Sequence, residues 1–402
     1  MNKSTKNWST KKLLVYNLLV LFIFFFTLEI SFRVYNYLQW DSYETYLSIQ
    51  GSPRLISDST LIWNNRPFYL EFYKESQYNE LGMRMPAGEA LMPKKAKDDF
   101  WVFTLGGSAM AGMGSNINGE LLDITNVFNH PISSSIDGYL ELYLKDKMPD
   151  KNVKVFNAAI SSTSIVQSMR NYERLKKYNP DWIITLDGVN EPRTFKSGQS
   201  INQQLIIDWE NDPSNNFPIS FYTYLTRKSA FLNTVKKYIF FLRLKWRRNK
   251  NDEIQQKWIN WDRTELVYDS SDKYISNAVD TFLFNLESFR KILSDDKQKH
   301  LIFIQPHLSL RDTNKLKNIE KGVYNYYTSL GDSGTNQYYK LLYRNADEKY
   351  ADDSSIFLMN WVHESDNWAF VDYCHFTKEI NSAFAEKIGH YMLYKDVVDL
   401  ED

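Results

Sequence analysis

The chain has 402 residues, enough for one large or two ordinary domains, and its 48 basic and 49 acidic residues leave it close to neutral. Charge so balanced leaves no nucleic-acid footprint at the level of the whole chain. The single cysteine, Cys374, excludes an internal disulfide framework, and a hydrophobic content of 43% is ample for a packed core.

Residues 1–12 carry Lys3, Lys6, Lys11 and Lys12 and no acid. The next twenty residues, Leu13 to Phe32, are interrupted only by Asn17 and Glu29, both near the ends of the run. As a helix rising about 1.5 Å per residue, such a run spans roughly 30 Å, the hydrocarbon core of one bilayer. The lysines before it predict a cytoplasmic amino terminus, and Arg33, Tyr35, Tyr37 and Trp40 fit an outer interfacial belt. The run is too long for the core of a signal peptide, and no small-x-small cleavage site follows it. A core helix would not carry Phe24-Phe25-Phe26 behind a purely basic flank. The sequence therefore predicts a cytoplasmic tail over 1–12, an uncleaved transmembrane anchor over 13–32, and a stalk or lead-in over 33–99 broken by Pro53, Pro67, Pro86 and Pro93.

From Phe100 an apolar run reads as a buried strand that ends in Gly106-Gly107-Ser108. Two glycines permit a tight turn, and the serine then stands at the strand's carboxyl end, where open α/β sheets place their ligands. Residues 115–134 are polar and irregular, and Ile136 to Leu144 has helical spacing. A short strand, Val153 to Phe156, leads into Asn157 to Ser164. A helix from Ile165 to Tyr178 stops at Asn179-Pro180. A further strand, Asp181 to Leu186, runs into Asp187-Gly188-Val189-Asn190-Glu191. Strand, helix and strand in this rhythm predict right-handed βαβ units and a parallel sheet.

Residues 195–265 break the rhythm and read as an insertion. Within it, the basic and aromatic Ala230 to Arg248 fits a helix with a solvated basic face better than a second membrane-surface contact. An amphipathic helix (Tyr274 to Leu293) and a strand (Leu301 to Ile304) follow, then a second insertion at about 308–350 with a Tyr-rich helix. Ser355 to Met359 is the last strand and Lys378 to Leu393 the closing helix, with Asp372-Tyr373-Cys374-His375 between them.

Ser108, Ser162, Asn190 and Asp372/His375 each follow a predicted strand, so a doubly wound sheet brings them to one edge. A serine nucleophile needs a base, and the base needs an acid that orients it; His375 and Asp372, three apart, supply both. A developing oxyanion needs preorganised donors, which the Asn190 amide and the backbone N–H groups of the Ser108 and Ser162 turns provide. Among rival bases, His307 stands at a strand end without a nearby acid, His363 precedes the last loop, and His130 and His390 read as structural or exposed. Cys374 reads as a small buried residue.

These four blocks, Gly106-Gly107-Ser108, Asn157 to Ser164, Gly188-Val189-Asn190-Glu191 and Asp372-x-x-His375, resemble in order those of the SGNH (GDSL-like) hydrolase family. The resemblance covers roughly 100–193 and 300–393. It implies a three-layer α/β/α domain over about 100–395 with a parallel, flavodoxin-like sheet, and an ester-cleaving site that uses no cofactor or metal. Ser108 would be the nucleophile, His375 the base, Asp372 its orienter, and Ser108, Ser162 and Asn190 the oxyanion donors. The family's Asp before the serine is Gly107 here, its oxyanion glycine is Ser162, and Glu191 replaces an Asp. Position 110 is Met, so the G-x-S-x-G elbow of α/β-hydrolases is absent.

The expectation is a membrane-anchored serine esterase, or acyl transferase, acting on acylated glycans or lipids of a bacterial envelope, outside the cytoplasm and without nucleic acid. The second reading is a catalytically silent scaffold or glycan-binding subunit of an envelope polysaccharide assembly, favoured by Gly107 and Ser162. The residues do not address the oligomeric state.

Overall fold

A computed structural model describes residues 10–40, 55–58, 61–69, 76–114, 131–191, 229, 231–232, 272–329 and 333–398. The expected cytoplasmic tail up to residue 9, the irregular 115–130 and almost all of the expected 195–265 insertion, with its basic stretch beyond Leu232, lie outside the described residues. The chain divides into two compact units, residues 1–57 with 211–252 and residues 58–210 with 253–402.

In the first unit, α1 runs from Thr10 to Trp40, longer than the predicted anchor at both ends. Its stretch Lys11–Val34 is long and apolar enough to cross a membrane, and its side chains there are almost all exposed. Glu29, the acid within that stretch, is paired with Arg33 one turn on at 2.8 Å. Its other oxygen accepts from Ser229 Oγ at 2.7 Å and from the Phe231 N–H at 3.2 Å. Phe231 rests its ring against Phe32 and Phe25, with centroids 5.5 and 6.3 Å apart. A carboxylate beside an apolar helix is costly unless it is bonded in this way.

The second unit is built on a seven-stranded sheet. In chain order its elements are β1 (Ser76–Tyr78), β2 (Arg84–Pro86), β3 (Asp99–Gly106), α2 (Ile136–Lys147), β4 (Asn152–Asn157), α3 (Ile165–Leu175), β5 (Trp182–Asp187), α4 (Asp272–Asp295), β6 (Lys299–Ile304), α5 (Asn318–Ser329), α6 (Ser333–Tyr350), β7 (Ile356–Leu358), α7 (Asn360–Glu364) and α8 (Lys378–Val398). The strand order is β1-β2-β4-β3-β5-β6-β7. The last five in that row are parallel, with Val102 of β3 opposite Val155 of β4 on one side and Trp182 of β5 on the other. β2 joins β4 through Arg84 opposite Asn157, and both this pairing and that of β1 with β2 are antiparallel.

The sheet is therefore mixed, which corrects the expectation of an all-parallel, flavodoxin-like sheet. The added strands fall within the stretch read as lead-in. At three residues each, one of them ending at Pro86, they are too short to show a period of two. The α3 helix is also shorter than expected. It ends at Leu175, a tighter single turn carries the chain to Tyr178, and Asn179 closes it with φ +51° before Pro180.

Alternation along the strands separates two cores, as two covered faces require. Trp101, Phe103 and Leu105 of β3 face Tyr172 of α3, Phe282, Leu286 and Phe289 of α4, and Tyr338, Tyr339 and Leu342 of α6. Val102, Val155 and Phe303 face Leu140 and Leu144 of α2 and Phe384 and Ile388 of α8. Helices on both faces give three layers. Residues 308–350, read from sequence as an insertion, supply α5 and α6. The buried hydroxyls of Tyr339 and Tyr343 on α6 donate to the carbonyls of Val189 and Ile304, each at 3.0 Å. These tyrosines tie α6 to the carboxyl ends of β5 and β6.

Candidate active site

The site is assembled at the carboxyl ends of the parallel strands. Where β3 ends, Gly106 takes φ +135°, and an added Cβ would lie 2.3 Å from the Leu186 carbonyl oxygen of β5. Only glycine fits so close an approach in so unusual a conformation. The turn continues with Ala111 N–H donating to Gly107 O at 3.0 Å and Met113 N–H to Ser108 O at 2.9 Å. Ser108 is left half-buried at its apex. Beneath the turn, Asn157 Nδ2 donates to Met110 O at 2.9 Å, and Arg84 and Asp137 form a fully buried pair at 3.7 Å. Burial pushes the Asp137 carboxyl up, against the pull of Arg84.

The loop after β4 packs on that turn. Ile160 N–H and Thr163 Oγ1 both donate to the Gly106 carbonyl at 3.0 Å. Ser162 adopts φ +62° within this loop. The serine therefore keeps the left-handed conformation that suits glycine, at a cost of roughly 1–2 kcal/mol. After β5, Asn190 donates one amide N–H to Thr163 O at 2.9 Å. Its second N–H is not engaged among the described residues.

Gly107 sits against the Asn190 side chain. A Cβ there would stand 2.7 Å from Asn190 Nδ2, so a side chain at this position competes with the Asn190 amide for space. Glu191 accepts the Ile165 N–H at the start of α3 at 2.8 Å, and Ser168 Oγ donates to Asp187 at 3.1 Å. Both carboxyls are buried. Burial pushes Glu191 up to about 7, and burial together with the neighbouring Glu191 raises Asp187 well above the carboxylate range.

Asp372 and His375 sit on a hairpin between β7 and α8, whose sides are held by Val371 N–H to His375 O and Thr377 N–H to Ala369 O, both 3.0 Å. The Asp372 Oδ1 accepts the N–H groups of Cys374 and His375 at 2.8 Å, which orients the carboxylate toward the imidazole. Asp372 Oδ2 lies 2.6 Å from His375 Nδ1, and His375 Nε2 lies 2.7 Å from Ser108 Oγ. Burial acts to lower the pKa of His375, but the Asp372 carboxylate and the Cys374 thiol together outweigh it and raise the imidazole well above its ordinary value. Burial acts to raise Asp372, and the imidazole and two backbone N–H groups outweigh it, leaving that carboxyl below its usual range. The sequence leaves the sign of the histidine shift open; the geometry sets it.

The structure thus brings Ser108, His375 and Asp372 into one hydrogen-bonded line, with Asn190 against Gly107 beside it. The other histidines stand elsewhere. His307 caps a short turn through Ser309 and stacks on Tyr339 at 4.0 Å. Burial and then the Arg311 charge push His363 down to about 4. His390 lies on α8 against Tyr394, and His130 is outside the described residues. Donor atoms of Asp372, Cys374 and His375 come within 4.8 Å of one another, the cluster most like a metal site among the described residues. The acid and imidazole already bond each other directly, so the set reads as a hydrogen-bonded pair with a packed thiol. Sequence reasoning missed Arg84 and Asp137, a pair that no spacing pattern marks.

The Gly107→Ala variant is expected to fold, to lose about 1–3 kcal/mol of stability through overpacking, and to displace the Asn190 amide. Urea denaturation and the Asn190 side-chain amide resonance check this; an unmoved resonance would show that the methyl is absorbed elsewhere.

No protein-family model and no curated protein matches the chain. Among solved structures, it is similar to the acetyl xylan esterase AlAXEase, at 12% identity and TM-score 0.34 over 72% of this chain and 98% of that one. A putative GDSL-like lipase from Parabacteroides merdae gives 11% identity and TM-score 0.36 over 75% and 100%. The lipase/acylhydrolase from Enterococcus faecalis gives 12% and 0.32 over 74% and 94%. At such values no role carries over from these proteins, and the site stands on its own geometry.

Proposed function

We propose that the chain is a serine esterase or acyl transferase of the SGNH (GDSL-like) type. The observation that carries this reading is the line Ser108 Oγ–His375 Nε2–His375 Nδ1–Asp372 Oδ2, with links of 2.7 and 2.6 Å. As Ser108 Oγ attacks an ester carbonyl carbon, His375 Nε2 takes its proton, and the carboxylate of Asp372 stabilises the imidazolium. The charge that develops on the carbonyl oxygen meets the second N–H of Asn190 and the backbone N–H groups of Ser108 and Ser162. The imidazolium then protonates the departing alcohol, which leaves an acyl group on Ser108. Water, or an acceptor hydroxyl activated by the same imidazole, takes that acyl group off.

The reading extends to place. The apolar α1 serves as a single membrane anchor with its amino terminus in the cytoplasm and the Ser108 domain outside, facing acylated glycans or lipids of a bacterial envelope. The support is the apolar stretch Lys11–Val34 and the lysines around its start.

A serine-directed fluorophosphonate should label the full-length protein but not Ser108→Ala. Absence of labelling in the wild type would favour the silent scaffold or glycan-binding subunit. Because His375 must be neutral to act and its pKa is raised, kcat/KM should climb with pH and go on climbing above about 6.5, where a free imidazole titrates. Asp372→Asn should lower kcat by roughly 10³–10⁴. A wild-type ionisation at or below the free value would mean that burial outweighs the Asp372 carboxylate at the imidazole. For the topology, a carboxyl-terminal reporter that works only after export should be active, and activity of a cytoplasm-only reporter there would reverse the assignment.

A further inference from the structure

The hairpin that carries Asp372 and His375 is gripped at its base by a buried ion pair from the 308–350 segment. The side chains of Arg311 and Glu320 are fully buried and meet at 3.4 Å. Glu320 Oε1 accepts the N–H groups of Ala369 at 3.0 Å and Phe370 at 2.9 Å, and its Oε2 accepts that of Lys317 at 2.9 Å. Phe370 is bridged in antiparallel fashion to Phe376, the residue after His375. Arg311 Nη1 donates to Val362 O at 2.8 Å, and Nη2 donates to Asn367 O and, at 3.4 Å, to Lys315 O. The carboxylate thus holds the first strand of the hairpin by its donors, and the guanidinium holds the approach to it by its acceptors.

Burying such a pair costs desolvation energy that apolar side chains of the same volume would not incur. What apolar residues cannot do is fix the direction of particular N–H and C=O groups. Ser108 is held by β3 and β5, whereas His375 is held by this hairpin, whose tip is steadied by Gln305 Nε2 on Cys374 O and Leu308 N–H on Tyr373 O, both 2.9 Å. The base of the hairpin is the part that the ion pair sets.

We propose that Glu320 and Arg311 are positioning residues that align the Asp372–His375 hairpin on Ser108, an inference that rests on the serine-esterase reading. Neither touches the reacting atoms. Glu320 places the two backbone N–H groups from which the hairpin rises, and Arg311 fixes both Glu320 and the preceding loop. A misplacement of about 1 Å at a reacting group costs on the order of 10²-fold in rate.

The test uses the full-length protein in detergent, with hydrolysis of p-nitrophenyl acetate and the downfield proton resonance of the Asp372–His375 hydrogen bond as readouts. Glu320→Ala should lower kcat by about 10² with KM nearly unchanged, and should shift or erase the resonance. Glu320→Gln keeps an oxygen for Ala369 and Phe370 and should recover most of both. If Glu320→Ala does not fold, Arg311→Lys replaces it, because a single ammonium does not span the Val362 and Asn367 carbonyls. A folded Glu320→Ala with wild-type kcat and resonance, or a Gln variant no better than Ala, would overturn the proposal. A wild type with the resonance but no hydrolysis and no fluorophosphonate labelling would defeat the esterase reading, while the response of the resonance to Glu320→Ala would still decide the role of the pair.

Discussion

The site depends on one backbone junction, the close approach of Gly106 to Leu186. With no side chain at 106, the end of β3 lies directly on β5, and Gly107 N–H donates to Leu186 O at 3.3 Å. The Gly106 carbonyl is then turned to accept two bonds from the loop after β4, and that loop's Thr163 carbonyl accepts Asn190 from the loop after β5. Three strand ends are interlocked before any nucleophile or base is considered. Even a methyl at 106 would have to part β3 from β5, and the serine turn, the Ser162 loop and Asn190 would lose their common reference.

Two of the loops at this junction, and the hairpin of Asp372 and His375, lean on buried ionisable groups. Arg84 with Asp137 lies under the serine turn, Asp187 with Glu191 under the Asn190 turn, and Arg311 with Glu320 under the hairpin of Asp372 and His375. Surface pairs such as Lys176 with Glu173 are partly exposed and contribute little. Polar and ionisable groups inside a protein are expensive to bury, so their gathering beneath one sheet edge marks that edge as the place where backbone direction matters most.

Much of this was legible in the residues. Apolar runs bounded by Gly106-Gly107, Asn179-Pro180 and Gln305-Pro306 mark β3, β5 and β6, and the period of 3.6 marks α4. The convergence of Ser108 and Asn190 on one edge was legible because each stands just past a strand, and that of Asp372 and His375 because they lie in the loop between the last strand and the closing helix. The edge strands β1 and β2 were not legible, because three residues carry no period. Arg311 and Glu320 were not legible either, since the pairing of distant charges is written in tertiary contact and not in spacing. The Tyr-rich helix α6 was legible as a helix but its burial was not: Tyr339 and Tyr343 look polar in sequence and turn out to be buried with their hydroxyls on backbone carbonyls.

The acceptor on α1 has a consequence for the order in which the chain is made. Ser229, which bonds Glu29, lies 200 positions later in the sequence. At 5–20 residues per second, synthesis reaches Ser229 roughly 10–40 s after Glu29 has been joined to the chain. Arg33, one turn further along the helix, arrives almost at once and pairs with the same carboxylate. The local partner therefore covers the charge during biogenesis, and the distant one completes its bonding only after the intervening Ser108, Ser162 and Asn190 loops have been synthesised.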